Sequence, residues 1–169
     1  MALDYQIGAL WIGGALSFVE QLCLVSFRDA GHHVKLFTYG EVQHIPDGIE
    51  IADASAVLPM DTAIRHTRTG SPAPQADRFR YHMLARQDRI IWADTDAYCV
   101  RPFTTETGHF HGWESEHHVN NGVLGLPKDS QTLAELLAFT ADEFAIPEWL
   151  PQAEQDDLRA ARDAGPPVG

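Results

Sequence analysis

A chain of 169 residues, 44% apolar and 21% charged, has the make-up of an ordinary globular domain, which excludes a disordered or fibrous chain and favours a single domain over residues 1–169. Acidic residues number 24 against 12 basic ones, a formal charge of −12, so a phosphodiester backbone would be repelled and no nucleic-acid partner is expected. No run approaches the ~20 apolar residues of a membrane span, and the opening MALDYQIGAL lacks the cationic and then apolar order of a secretion signal. The expected location is the cytoplasm, with at most a peripheral place at the inner membrane.

In chain order, Gln6 to Trp11 is a strand-length apolar run that stops at Gly13-Gly14, as a buried strand would. Ser17 followed by Glu20 makes a capping-box pattern, and Phe18, Leu22, Val25 and also Leu24 repeat at helical spacing up to Gly31. Val34 to Tyr39 alternates as a second strand. Strand, helix, strand predicts a parallel crossover and an α/β fold, whose open sheets bind ligands at the carboxyl ends of their strands.

The stretch from Gly40 to Gln75 is weakly patterned, with a short strand at Ile49 to Ile51 and a loop at Gly70 to Pro74. Asp77 to Gln87 reads as a helix with Phe79, Met83 and Leu84 inward, and Arg89 to Ala93 as a buried strand. Two more strands are expected at His109 to Glu114 and Gly122 to Leu126, then a helix from Asp129 or Ser130 to about Phe144. The rest is polar and ends on a Gly-Pro-Pro run that reads as linker. Cys23 and Cys99 lie far apart among apolar residues, as buried free thiols do.

Chemistry concentrates at Asp94-Thr95-Asp96, directly after the strand RIIWA. Two carboxylates alternating across a strand end can converge on a hard divalent cation, which takes one or two carboxylates together with substrate phosphate oxygens. A DxD alone is a weak signal, since acidic turns are common. Asp77 stands seventeen positions before Asp94, with Arg80 three residues later on the same helix face, and both can be brought over the same ligand. Their bland alternative is a surface i,i+3 salt bridge. His109, His111, His117 and His118 have spacing that can suggest zinc, without a visible complete ligand set. His32-His33 sits at a helix end, where a cation suits the macrodipole.

The run ADRFRYHMLARQDRIIWADTDAYCVRPF is similar to the block SDxxRxxxLxxxGGIYxDxDxxxxxPL of the DXD-type sugar transferases. That family includes yeast initiating α-mannosyltransferases, α-1,4-galactosyltransferases and the glucosylating domains of large clostridial toxins. ALWIGGALSFVEQ resembles the family's first strand and VNNGVLGLP its later strand, so three blocks occur in family order from Leu10 to Pro127.

The resemblance implies a GT-A-like fold with a mixed, mostly parallel sheet. It also implies a nucleotide diphosphate sugar as donor, a UDP-hexose or GDP-mannose, with a glycan or lipid-linked acceptor and Mn²⁺ or Mg²⁺ as cofactor, which would also neutralise the diphosphate on so acidic a chain. It assigns Trp11 to stacking on the base, though Trp11 reads equally well as core. Asp77 goes to ribose or sugar hydroxyls, Arg80 to the transferred sugar, and Asp94 to ribose and metal-bound water. Asp96 is the direct metal ligand, and Asn120 or Asn121 lies beside the sugar; Asp94, Asp96 and Arg80 would carry the chemistry. Trp92 stands where the family has Tyr. The family's closing C-terminal segment is not found before Gly169, so a domain lacking its C-terminal part is expected. The competing readings are a donor-binding remnant or partner subunit without catalysis, and a DxD phosphatase of the haloacid-dehalogenase type, whose motif normally opens the chain.

Overall fold

The computed structural model describes residues 4–60, 73–142, 145–148 and 150–164. The strands are β1 (Gln6–Trp11), β2 (Val34–Thr38), β3 (Glu50–Asp53), β4 (Ile90–Ala93), β5 (Phe110–Trp113) and β6 (Val119–Gly125), and the helices are α1 (Phe18–Asp29), α2 (Ala73–Arg86), α3 (Gln131–Thr140) and α4 (Gln152–Ala164). One six-stranded sheet has the order β3-β2-β1-β4-β6-β5. β1 to β4 run parallel, with Ile7 opposite both Val34 and Ile91, and β6 runs antiparallel to β4 and β5. The chain therefore has the expected α/β architecture, a mixed and mostly parallel sheet flanked by helices.

Strand order dictates where a ligand can sit. From β1 the chain steps to β2 and β3 on one side, then places β4 on the other side of β1, so the order reverses between β1 and β4. The crevice outside the carboxyl ends of the strands at such a reversal is where open α/β sheets bind ligands. Gly13-Gly14 leaves β1 at this edge, and Asp94-Thr95-Asp96 leaves β4 there.

Two cores lie on the two faces of the sheet. Phe79, Met83 and Leu84 of α2 and Leu133 of α3 pack with Leu10, Phe37 and Trp92 on one face. Leu24 and Phe27 of α1 pack with Ile7, Val34, Leu36 and Ile91 on the other. β2 is buried on both faces, as a central parallel strand must be.

Ser17 and Glu20 form the expected capping box at the start of α1. The helix ends on a Schellman turn, with Gly31 at φ +97°, its N–H donating to the Arg28 carbonyl and the His32 N–H to that of Phe27.

The inward face of α1 matches the expected one only at Leu24. Leu24 is buried together with Cys23 and Phe27, whereas Phe18 is 77% exposed and Leu22 42% exposed. FVEQLCLVSF is apolar on nearly every side, so periodicity alone offers two stripes, and contact with β1 and β2 selects one. His32 is buried rather than displayed at the helix end, and burial pushes its pKa down, so it does not serve the dipole as a cation.

Other boundaries move as well. Ala73 and Pro74 belong to the first turn of α2, where proline is tolerated, while positions 70–72 and Phe144 lie outside the described residues. The polar remainder contains α4, held by pairs along its own surface: Arg159 to Asp156 at 2.7 Å, Arg159 to Gln155 at 2.8 Å and Gln152 to Asp156 at 2.9 Å.

Candidate functional site

β4 delivers Asp94 and α2 delivers Arg80 to the same place. Trp92 lies in β4 and Asp94 directly follows its last residue, two positions on, so their side chains leave the same face of the sheet, the face that α2 covers. Arg80 Nη2 donates to Asp94 Oδ1 at 2.8 Å, and the Trp92 indole N–H donates to the same oxygen at 2.8 Å. The guanidinium carbon of Arg80 lies 4.9 Å from the centroid of the Trp92 ring. Arg80 Nη2 also stands 3.4 Å from Asp77 Oδ1, closing an ion-paired cluster of Asp77, Arg80 and Asp94.

This is not a surface salt bridge. The Arg80 side chain is only 4% exposed, whereas those of Asp77 and Asp94 are 49% and 35% exposed. Arg80 Nε and Nη1 are buried and have no hydrogen-bond partner among the described residues. Leaving buried donors unmet is costly, and such groups are uncommon in folded proteins. Both nitrogens are out of contact with solvent, so an acceptor reaches them only if a covering group moves aside. Partial burial pushes the Asp77 carboxyl up, the nearby Asp94 charge adds to this, and Arg80 opposes it.

Asp96 faces different surroundings. It is exposed, and among the described residues its carboxylate makes no hydrogen bond or ion pair. Its charge reaches α1, where burial first, then Asp96 and Glu20, push the Cys23 thiol up. The turn that carries it is closed by the Ala97 N–H donating to the Asp94 carbonyl at 3.0 Å. Beyond that turn, the buried Ser26 hydroxyl donates to the Cys23 carbonyl at 2.6 Å and accepts from the Cys99 N–H at 2.9 Å, fastening the outgoing chain to α1.

β6 closes the third side. The Asp94 N–H donates to the Gly122 carbonyl at 2.7 Å, and the Asn120 side chain accepts from the Gly122 N–H at 2.8 Å. A Cβ on residue 122 would stand 3.1 Å from Asp94 Oδ2 and 2.8 Å from Asn120 Oδ1, so a side chain here would displace Asn120 and press on Asp94. Asn120 and Asn121 are both exposed at this edge. Trp11, at the end of β1, is half-buried against the α1-side core with its indole nitrogen buried and unpartnered among the described residues. The ring of Trp11 lies against Gly13, where a Cβ would meet Nε1 at 3.0 Å.

The sequence-predicted residues therefore fall into one contacting cluster, Asp77, Arg80 and Asp94, with Asn120 reaching it through Gly122 and Asp96 beside it. Trp11 is at the same sheet edge. Trp92 is the participant that sequence reasoning missed as a contact residue, although the W-x-D spacing on a strand was the signal for it.

No group of three or more His, Cys, Asp or Glu side chains among the described residues is arranged to hold a metal ion, the four histidines near β5 included. The donor set suits a hard cation nonetheless. The exposed Asp96 carboxylate and Asp94 Oδ2, which accepts no hydrogen bond among the described residues, are oxygens of the kind that bind Mg²⁺ or Mn²⁺ together with ligand oxygens.

Two hollows lie apart from these residues: one of about 400 Å³ between α1 and the Tyr98 to Pro102 segment, one of about 270 Å³ at the ends of β2 and β3 beside Tyr39 and Asp53. No described helix is long and apolar enough to cross a membrane. No protein-family model matches the chain, and no curated protein matches its sequence.

Proposed function

We propose that this chain binds a nucleotide diphosphate sugar with a divalent cation, as the donor-binding part of a metal-dependent, retaining glycosyltransferase of GT-A-like fold that moves a hexose to a glycan or lipid-linked acceptor. The observation that carries the reading is the crevice between β1 and β4. There a buried arginine with two unmet N–H donors is tied to Asp94, beside the exposed carboxylate of Asp96. Further support comes from Arg89, which falls on the glycine pair of the resembling block and takes φ +50°, the region glycine favours.

Each residue has a role that its surroundings permit. Arg80 Nε and Nη1 are donors suited to a sugar hydroxyl or phosphate oxygen, and binding would meet groups the fold leaves unsatisfied. Asp77, half exposed, can accept from vicinal hydroxyls. Asp94 has one oxygen occupied by Arg80 and Trp92 and one left for ligand, and Asp96 offers a whole carboxylate. Asn120 and Asn121 offer amides at the rim. A divalent ion held by Asp96, with Asp94 assisting, would supply Lewis-acid stabilisation to the leaving diphosphate.

Thermal melting with Mn²⁺, with UDP or GDP, and with ion and nucleotide together tests the proposal, because a ligand that binds only the native state raises the midpoint. The expected result is a rise with both together that exceeds the sum of the separate rises. Equal rises with and without Mn²⁺ would remove the metal from the reading, and no rise with any combination would remove the reading itself.

A further inference from the structure

We infer that Trp92 is a positioning residue of this site, one whose indole fixes the Asp94 carboxylate and the Arg80 guanidinium in a single arrangement that leaves Asp94 Oδ2 for ligand. The inference rests on the donor-binding reading above and adds to it a residue that does not itself touch donor or metal.

Trp92 is 2% exposed, enclosed by Phe79 of α2 on one side and opposite Leu124 of β6 in the sheet register. An indole N–H in such a place needs an acceptor, and it finds Asp94 Oδ1 at 2.8 Å. The pleat makes this possible, because Asp94, the residue just after β4, lies two positions on from Trp92 and leaves the same face. The ring also supplies the surface over which the Arg80 guanidinium lies, 4.9 Å from its centroid.

Arg80 then donates to the oxygen that the indole already holds, so the three side chains form a closed triangle. Oδ1 carries two donors and Oδ2 carries none among the described residues, which fixes the rotation of the carboxylate. Tryptophan does both parts of this work. Phenylalanine keeps a ring under the guanidinium and removes the N–H.

Calorimetric titration of UDP in saturating Mn²⁺ tests the inference with four proteins: wild type, Trp92→Phe, Asp94→Asn and the double variant. Trp92→Phe is expected to weaken binding about tenfold, the size of one lost charge-assisted hydrogen bond, and to add little once Asp94→Asn is present. A Trp92→Phe affinity within twofold of wild type would overturn the positioning role and leave the donor-binding reading standing. A loss that adds fully to that of Asp94→Asn would make Trp92 an ordinary core residue and overturn it too. Wild-type protein that binds neither UDP nor GDP with Mn²⁺ would overturn both. Melting midpoints of the same proteins separate binding loss from unfolding.

A ligand-free measurement keeps the inference testable if Trp92→Phe does not fold. In ¹H–¹⁵N spectra, Asp94→Asn should move one tryptophan indole N–H resonance more than the others, since that proton loses a charged acceptor. If no indole resonance moves, the bond is absent and the inference fails.

Discussion

Asp94 and Asp96 are two residues apart and chemically identical, yet the fold gives them opposite circumstances. Asp94 stands on the α2 side of the sheet, where Arg80 and Trp92 donate to one of its oxygens and the lack of a side chain at Gly122 leaves the other uncrowded. Asp96 emerges from the turn in the open, its charge reaching α1. The first carboxylate is part of the protein's internal network and the second is available. A two-carboxylate motif at a strand end thus need not be two equal ligands. It can be one anchored group that orients the site and one free group that meets what arrives.

The largest expected effect comes from the anchored side. Arg80→Ala removes the cation from a buried pair, leaves Asp94 with the Trp92 N–H alone and opens space over the indole. Removing one partner of a fully buried pair costs about 3–5 kcal/mol, and because the Asp94 side chain is 35% exposed we expect about 2–3 kcal/mol here. Denaturant unfolding measures it. A loss below about 0.5 kcal/mol would mean that the cluster is no more than the surface pair its i,i+3 spacing allows.

The free side should behave inversely. Asp96→Asn is expected to change stability by less than about 0.5 kcal/mol, as exposed substitutions do, while abolishing the part of the UDP-induced melting shift that depends on Mn²⁺. Asp94→Asn should cost more stability and less metal dependence. Reversal of that order would break the comparison between the two carboxylates.

Gly122→Ala sharpens it on the β6 side. The added methyl would sit 2.8 Å from Asn120 Oδ1 and 3.1 Å from Asp94 Oδ2. Asn120 is exposed and can turn away, whereas Asp94 is held by two donors and cannot move freely. About 1 kcal/mol of destabilisation is expected from this overpacking, with a weakening of UDP and Mn²⁺ binding larger than the stability change explains. Calorimetry beside unfolding gives both numbers, and binding equal to wild type would show that Asp94 Oδ2 does not face the ligand.

How legible this was in the sequence depended on whether local chemistry or tertiary contact decided the outcome. β1, the Ser17 and Glu20 cap and the inward residues of α2 follow from patterns a few residues long, and the structure has them where expected. The grouping of Asp77, Arg80 and Asp94 was legible too, because one helix turn and one strand end fix which way each points. The buried face of α1 was legible only at Leu24, since Phe18, Leu22 and Val25 on one side and Cys23 and Phe27 on the other are all apolar and only the sheet chooses between them. α4 was hidden because its sole large apolar residue, Leu158, is 43% exposed, so no core-facing period existed to read. The separate circumstances of Asp94 and Asp96 depend on the 94–97 turn and on α1, neither of which a three-residue motif encodes.

The smallest expected effect is a pH dependence, and its sign discriminates between two causes at Asp77. Burial pushes this carboxyl up and the Asp94 charge adds to it, while the Arg80 guanidinium pulls the other way. With burial dominant, the folded protein holds the Asp77 proton more tightly than the unfolded chain does. The stabilising contribution is then complete below the ordinary carboxylate pKa and is lost as pH rises through the raised folded value. Because the side chain is 49% exposed, solvent screening should limit the effect to no more than about 0.5 kcal/mol. Other carboxylates titrate over the same range, so the quantity to follow is the difference in unfolding free energy between wild type and Asp77→Asn from pH 4 upward. It should fall for wild type relative to the variant as pH increases. A rise instead would mean that the ion pair with Arg80 outweighs burial, with Asp77 then belonging wholly to the anchored network rather than standing between it and the open crevice.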